Sequence, residues 1–563
     1  MSYKYSFHLP ERYKLRGFER DLAIMELSPL GELALDARPR TVQVITDTPL
    51  PEEHLTRLTF FEQVTVTKGE ETHAITPYQT LLDRCAKATK LVTRKANLEE
   101  IARQLPSIEN GRREHSYLTH SYHQYKGKYY PQLCKSLFNY GGLKPGDVVL
   151  DPFCGSGTTM VEAYLNSLRG VGVDLNPLAA FMSNVKVEAL EVEPQVLRQK
   201  TERLIADLKE ILRARGLWDT GLEDLEWTRP SRELSPEELA ERIKALEIPN
   251  LDYLTTWFEP LALYKLGLIL EQANELDDYR IRGLATLTVS NIIRPYSLQA
   301  PGQLRVRRRA TPPATDDILH RFSTSLRKNV AAVFLFHAVK PCYPFRPNSV
   351  RSFEGDIRRL DQVPSPLLQK DEQIDMVVTS PPYATALPYI DTDRLSIFML
   401  GFIEKDQRRD LERCMIGNRE ITNSERKMLE AEFLQSYETS PLPDSVKALV
   451  KEILERNAAA DVGFRRRNKA SLLYKYFADM REGFLQIRRV LKPSRLCAVI
   501  IGNSTTVAGG KRVEIRTNDL LVDIGRSVGF ELAHSMPMTD QAAYMAHSKN
   551  TIRTETIFIL RKT

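Results

Sequence analysis

Cysteine is scarce in this chain and never closely spaced: the six in 563 residues (Cys85, Cys134, Cys154, Cys342, Cys414 and Cys497) include no Cys-x-x-Cys. That argues against a zinc site or a disulfide framework and for a reducing cytosol. Long apolar runs are missing too. No stretch reaches the roughly eighteen apolar residues of a membrane span, and Met1-Ser2-Tyr3-Lys4-Tyr5 lacks the apolar core of a signal peptide. A cytoplasmic chain without a membrane partner is expected. Charge of one sign is not dominant either: 79 Lys and Arg against 73 Asp and Glu leave a net +6. Such a balance permits a nucleic-acid partner without demanding one. At 42% hydrophobic the chain can bury several cores, and its length corresponds to roughly two to four domains.

Residues 1–100 mix short strand-like pieces, Thr41–Ile45 and Gln63–Thr67, with charged and Pro-containing connectors. They read as a small α+β domain without recognisable chemistry. A polar aromatic segment follows, from His115 through His120, His123 and Tyr125 to Tyr130 and Pro131. Its three histidines have no acidic residue at a ligand-like spacing, so no metal is expected. A nucleotide-like ligand could stack on its aromatics.

Gly146–Asp151 then reads as a strand, Pro152–Gly157 as a glycine turn, Thr158–Leu168 as a helix, and Gly170–Asp174 as a second strand ending in an acid. The glycines let backbone approach a ligand closely, and the helix start presents free N–H groups. Asp174 follows the turn at roughly the twenty-residue interval used for a ribose hydroxyl. The turn lacks the third glycine of a dinucleotide site, and no catalytic histidine–acid arrangement is in place, so a nicotinamide dehydrogenase is disfavoured. Asp151 offers a carboxylate to a ligand ammonium. Ribose, ammonium and close backbone approach together describe S-adenosylmethionine better than NAD.

Farther on, the apolar run Ile374–Val378 reads as a buried parallel strand leading into Thr379-Ser380-Pro381-Pro382-Tyr383. Two prolines cannot continue a ladder or begin a helix there, so they make a rigid exit flanked by Ser380 and Tyr383. The carboxyl ends of such strands are where ligands collect.

Asp151-Pro-Phe-Cys-Gly-Ser-Gly-Thr-Thr159 and Thr379-Ser-Pro-Pro-Tyr383 resemble the cofactor and catalytic motifs of the DNA amino-methyltransferases, which methylate cytosine N4 or adenine N6. Serine before Pro-Pro-Tyr resembles the cytosine-N4 members; the adenine-N6 members more often carry Asp or Asn. The resemblance covers residues 115–190 and 345–400, with a weaker C-terminal match, about half of the chain. It implies an α/β fold: a Rossmann-like class I methyltransferase core, mostly parallel with a C-terminal antiparallel hairpin. It also implies S-adenosylmethionine and no metal, held by Tyr130, Pro131, Asp151, Phe153, Gly155, Gly157, Thr158, Asp174, Leu175, Asn176, Asp356 and Ser380. Catalysis would fall to Ser380, Pro381, Pro382 and Tyr383 on a base flipped out of double-stranded DNA. A cognate restriction endonuclease or defence-system subunits are the protein partners it implies. A cytosine-C5 mechanism is not expected, because the only Pro-Cys, Pro341-Cys342, lies outside both motifs.

The core is therefore expected in pieces: residues 101–190 with the cofactor site, 346–403 with the catalytic motif, and 471–563. Two mostly helical insertions interrupt it. Residues 191–345 form the candidate target-recognition region, ending in Arg294-Pro295-Tyr296 and the run Arg305, Arg307, Arg308, Arg309; residues 404–470 end in Arg465-Arg466-Arg467. Either run alone is normally a solvated face. Beside a base-modifying motif, they read as phosphate contacts with aromatic wedges. The alternatives are an adenine-N6 enzyme, an RNA amino-methyltransferase acting on tRNA or rRNA, and a DNA-binding defence protein whose core serves recognition.

Overall fold

The computed structural model describes residues 2–11, 15–30, 40–92, 97–108, 116–221, 234–300, 307–343, 345–384, 389–538 and 555–563. Two sheets and a ribbon organise them. β1 (Tyr3–His8), β2 (Thr41–Thr46), β3 (Gln63–Lys68) and β4 (Glu71–Ile75) form an antiparallel sheet in the order β2-β1-β3-β4. The central sheet joins β5 (Val148–Asp151), β6 (Arg169–Asp174), β7 (Val350–Glu354), β8 (Ile374–Thr379), β9 (Leu491–Gly502), β12 (Phe530–Met538) and β13 (Glu555–Lys562) in the order β12-β13-β9-β8-β5-β6-β7. β10 (Ser504–Ala508) and β11 (Lys511–Ile515) make the ribbon.

From β7 to β9 the central sheet is parallel, and β13 runs antiparallel between β9 and β12. This is the Rossmann-like core with its closing antiparallel pair. Strand order reverses between β5 and β8: the chain leaves β5 for β6 and β7 on one side and returns to β8 and β9 on the other. A crevice at the carboxyl ends of those two strands is where such a sheet receives ligands. β5 ends in Asp151 and β8 in Thr379, immediately before Ser380.

Alternation along the strands splits the sheet into two apolar faces. Met376 and Val378 of β8, Ala498 and Ile500 of β9, and Ile557 and Ile559 of β13 share a core with the N-terminal sheet and the helix Pro131–Tyr140. Val377, Cys497, Val499 and Phe558 face the helices Lys469–Val490 and Thr517–Ser527. The N-terminal unit is thus a lid on the core rather than a separate module. A buried carboxylate fastens it: Glu26 accepts from the backbone N–H groups of Thr59 and Phe60 and from Asn139 Nδ2 at 2.9 Å.

The first insertion builds a helical core from Pro194–Ala214, Pro236–Lys244, Pro260–Asn274, Tyr279–Tyr296 and Ile318–Val339. That core includes Leu178, Met182 and Val185 of the helix after β6, and Ile390, Leu395 and Phe398 of the helix Tyr389–Met399 after the Pro-Pro-Tyr turn. The second insertion packs Phe433, Val446 and Ile453 against the helix Lys469–Val490. Both insertions therefore share cores with elements flanking the crevice. Among the described residues, no helix is long and apolar enough to cross a membrane.

Leu137, fully buried where the N-terminal sheet, its helix and the central sheet meet, provides a test. Leu137→Ala should cost about 2–5 kcal/mol through lost contacts and a cavity. It should lower the urea midpoint of N-terminal and core probes together; separate transitions would contradict the shared core.

Candidate active site

The glycine turn after β5 is held in shape from below. Gly155 and Gly157 both lie in the left-handed region, at φ +47° and +81°. A side chain at Gly157 would meet Ser183 Oγ at 2.5 Å, and one at Gly155 would meet the Tyr125 ring at 3.1 Å. Glycine is required there by conformation and by space. Lys186 Nζ donates to Ser156 O at 2.7 Å, and Cys154 N donates to Val173 O, so the turn is tied to β6 and its following helix.

Asp174, at the end of β6, accepts from Gly155 N at 2.8 Å and from Asn176 N at 2.9 Å. Burial pushes its carboxyl up to about 6, against the lowering pull of these two N–H groups. Gly355 N donates to Asp174 O, which sets the β7 exit beside it. Asp356 follows; its carboxylate accepts from Arg358 N and Nε, each at 2.9 Å, and Arg358 in turn reaches Asp479 at 2.7 Å.

Across the crevice, Thr379-Ser380-Pro381-Pro382-Tyr383 leaves β8. Pro382 O accepts from Tyr476 Oη at 2.9 Å, and the Tyr383 hydroxyl is bonded to Glu555. Among the described residues, no donor reaches Ser380 Oγ or Pro381 O. One turn therefore has its outer atoms tied down and two acceptors left available.

The two halves enclose a solvent-open cleft. Phe153, Gly155, Thr158, Asp174, Leu175, Asp356, Ser380, Pro381, Pro382 and Tyr383, all named from sequence, line it. Several other named residues do not. Asp151 is fully buried beneath the turn and turns its carboxylate inward. It accepts from Thr379 Oγ1 at 2.6 Å, Thr159 Oγ1 at 2.5 Å, Phe153 N at 3.1 Å and Tyr129 Oη at 3.2 Å. Its lone pairs are spent inside the fold, so it joins β5 to β8 rather than meeting a ligand ammonium. Gly157 lies behind the lining, against Ser183. Asn176 is buried and caps the helix Pro177–Glu188 through Leu178 N. Tyr130 points to the N-terminal unit, where its hydroxyl meets Glu19 and its ring meets Phe18 edge-on, and Pro131 begins the next helix.

Sequence reasoning missed Tyr125, Lys128 and Tyr129, which line the cleft from the other side of that aromatic segment, and Cys414, Met415 and Ile416 of the second insertion. Alternation of aromatic residues pointed to the right segment but could not choose between adjacent tyrosines. The histidines also change meaning. His120 does have an acidic partner, distant in sequence: Glu162 at 2.8 Å, in a buried network with Tyr117. Burial pushes the Glu162 carboxyl up to about 7. His123 is buried and bonded to Ser290. Among the described residues, no group of three His, Cys, Asp or Glu side chains is placed to hold a metal ion.

The expected nucleic-acid residues fare unevenly. Tyr296 is a core residue, 3% exposed, with its hydroxyl on Asp317 at 2.7 Å, so it cannot act as a wedge. Arg294 is half-buried and opposed by the buried carboxylate of Asp393. Arg309 is spent on the carbonyls of Gln299 and Pro295. Arg307 and Arg308 are exposed, as are Arg465, Arg466 and Arg467. Arg305 lies outside the described residues.

Comparison with known proteins gives a consistent picture. A family model described as DNA methylase matches residues 110–182, the aromatic segment through the helix after β6. The chain is similar to the Type II methyltransferase M.MvaI of Kocuria varians, 24% identical over 422 residues, covering 72% of this chain and 81% of that protein. It is similar to the Type II methyltransferase M.BsoBI of Geobacillus stearothermophilus, 23% identical over 445 residues, covering 72% and 78%. A shorter match, 44% over 52 residues and 9% of this chain, covers 16% of a tRNA (guanine(10)-N2)-dimethyltransferase of Methanothermobacter thermautotrophicus.

Thr379→Val removes one donor to the buried Asp151 carboxylate. It should cost about 1–3 kcal/mol in urea denaturation, the range for leaving a buried polar group short of a partner. Thr379→Ser, which keeps the hydroxyl, should recover most of that loss.

Proposed function

We propose that this chain is a site-specific DNA methyltransferase that moves a methyl group from S-adenosylmethionine to the exocyclic amino group of a flipped base, with cytosine N4 the favoured target. The observation that carries this reading is a cleft lined by Ser380 and Pro381, whose Oγ and O take no donor among the described residues, together with the Gly155 turn and Asp174. The similarity to Type II methyltransferases along most of the chain supports DNA over RNA as substrate. A restriction endonuclease sharing the same recognition site is the partner that this class of relative brings to the proposal.

The residues present fit the cofactor. Asp174 lines the cleft as an acceptor for a vicinal hydroxyl pair, as a ribose offers; Asp356 lines it too, with both carboxylate oxygens engaged by Arg358. The backbone of the Gly155 turn allows close approach. Asp151 turns its carboxylate into the fold, while Lys128 and Tyr129 line the cleft. The sulfonium of S-adenosylmethionine supplies an already activated methyl group, so alignment rather than metal or covalent chemistry is the chain's task.

An amino group on a base is a poor nucleophile because its lone pair is shared with the ring. Ser380 Oγ and Pro381 O are acceptors for its two N–H bonds, and accepting both turns the nitrogen toward tetrahedral geometry. The two prolines and the Tyr476 bond hold these acceptors still, so little reorganisation accompanies the reaction. Tyr383, fixed by Glu555, offers its ring to the base, a stacking contact worth about 1–3 kcal/mol. Flipping the base costs a few kcal/mol that such contacts offset.

Ser380→Ala should lower kcat for label transfer from S-adenosylmethionine to duplex DNA by about 10²–10³-fold, the usual loss for one preorganised polar partner, and should weaken cofactor binding in equilibrium dialysis far less. Transfer to RNA alone would overturn the assignment of substrate. Cofactor affinity should also depend on pH. Asp174 must be ionised to accept from the hydroxyls, and its carboxyl is pushed up to about 6. Affinity should therefore be constant above that pH and fall about tenfold per unit below it; Asp174→Asn should bind weakly with no such dependence.

A further inference from the structure

β9 carries a second feature to the crevice. Its Val499 pairs with Thr379, and the strand continues to Gly502 before β10 begins. The β10–β11 ribbon therefore springs from the same sheet edge as the Ser380–Tyr383 turn. Among the described residues it pairs with no other strand, and Gly509 and Gly510, at φ +54° and +79°, make its tip, conformations in which glycine carries no steric cost.

The two faces of the ribbon differ in chemistry. Ala508, Val513 and Ile515 turn inward to the core beneath the second insertion. Outward stand two cross-strand pairs, Thr505 opposite Glu514 and Val507 opposite Arg512, all exposed. Val507 is left 37% exposed where a polar residue would serve a purely structural ribbon equally well. Lys511 and Arg512 are exposed and make no ion pair among the described residues.

A basic turn is fastened to the ribbon. Asn457 Oδ1 accepts from Gly509 N at 3.1 Å, and its Nδ2 donates to Arg466 O at 2.8 Å. One buried asparagine thus holds the ribbon tip against Phe464–Arg467, where Phe464 is 49% exposed and Arg466 has no ion-pair partner among the described residues. The next residue, Asn468, donates to Ile421 O, just beyond Cys414–Ile416, which line the cleft, and Gly417, which packs on Pro382. Hydrogen bonds of Asn457 and Asn468 thus tie the ribbon tip, the basic turn and the segment that follows the cleft-lining residues to one another.

We propose that this surface receives duplex DNA, with the outward face of the ribbon in the major groove and Lys511 and the Arg465–Arg467 cations on flanking phosphates. The inference rests on the reading of the chain as a DNA-modifying enzyme and names the element that reads the target. The major groove of B-DNA admits a two-stranded ribbon, and the exposed set suits its edges. Arg512 can bind the two acceptors of guanine, Glu514 can accept from cytosine N4, and the methyls of Thr505 and Val507 can meet the thymine methyl. The deep, narrow major groove of A-form RNA would exclude the same ribbon. This assigns recognition to the segment after β9, where neither basic run of the first insertion lies.

The test compares Lys511→Gln/Arg512→Gln with wild type. Fluorescence anisotropy would follow binding to a mixed-sequence DNA duplex, and to an RNA duplex of the same sequence, across a range of salt concentrations. The double variant should bind DNA about tenfold or more weakly at low salt, with a log K against log salt slope smaller by about 1 for the lost Lys511 phosphate contact. Dialysis against labelled S-adenosylmethionine should give wild-type affinity, which shows that the fold is intact. Arg512→Ala alone should relax the sequence preference of DNA binding at one position. Wild-type affinity and slope in the double variant, or a loss confined to the RNA duplex, would overturn the proposal. A wild-type protein that binds the DNA duplex without methylating it would count against the activity, and the variant's loss of binding would still establish the surface.

Discussion

A single buried carboxylate holds the two halves of the cleft together. Asp151 ends β5, and Thr379 ends β8; their 2.6 Å hydrogen bond crosses the point where strand order reverses. From Asp151 the chain turns into the glycine loop, and from Thr379 it turns into Ser380-Pro381-Pro382-Tyr383. Thr159, at the start of the following helix, Phe153 N and Tyr129 Oη complete the carboxylate's partners. Burial raises the carboxyl while these donors pull it down. A buried acid is costly unless fully hydrogen-bonded, so its four partners must stay in place, and with them both walls of the cleft. The rigidity that the proposed amino-group chemistry asks of Ser380 and Pro381 begins here, one residue upstream.

The rest of the molecule reinforces that joint from outside. The N-terminal sheet covers one apolar face of the central sheet, and the helices Lys469–Val490 and Thr517–Ser527 cover the other. The first insertion clasps the helices that follow both motifs, through Leu178 and Met182 on one and Leu395 and Phe398 on the other. The second insertion contributes Cys414–Ile416 to the cleft itself. These segments interrupt the core in sequence, yet none stands apart from it in space, and the active-site geometry depends on all of them.

Much of this was legible in the residues. The β-turn-α-β unit announced itself through glycines at forced positions and an acid at the right interval, and the apolar run before Thr379 announced a buried strand. Local chemistry failed where a side chain's direction depends on distant partners. Asp151 looks like a ligand group until Thr379, 228 residues away, is seen to occupy it. Tyr129 and Tyr130 are indistinguishable in sequence, and only the N-terminal unit, which draws Tyr130 to Glu19, decides which one faces the cleft. Arg294-Pro295-Tyr296 reads as a basic aromatic surface, but Tyr296 is captured by Asp317. The β10–β11 ribbon carried a usable signal, Gly509-Gly510 between alternating residues, beside the stronger pattern of β9.

If the chain methylates an amino group of a DNA base, mass spectrometry of nucleosides from DNA and RNA of cells expressing the protein should find N4-methylcytosine in DNA. N6-methyladenine in DNA would keep the proposed chemistry at the Ser380–Tyr383 turn while changing the base. Finding 5-methylcytosine, or methylated nucleosides only in RNA, would contradict that reading.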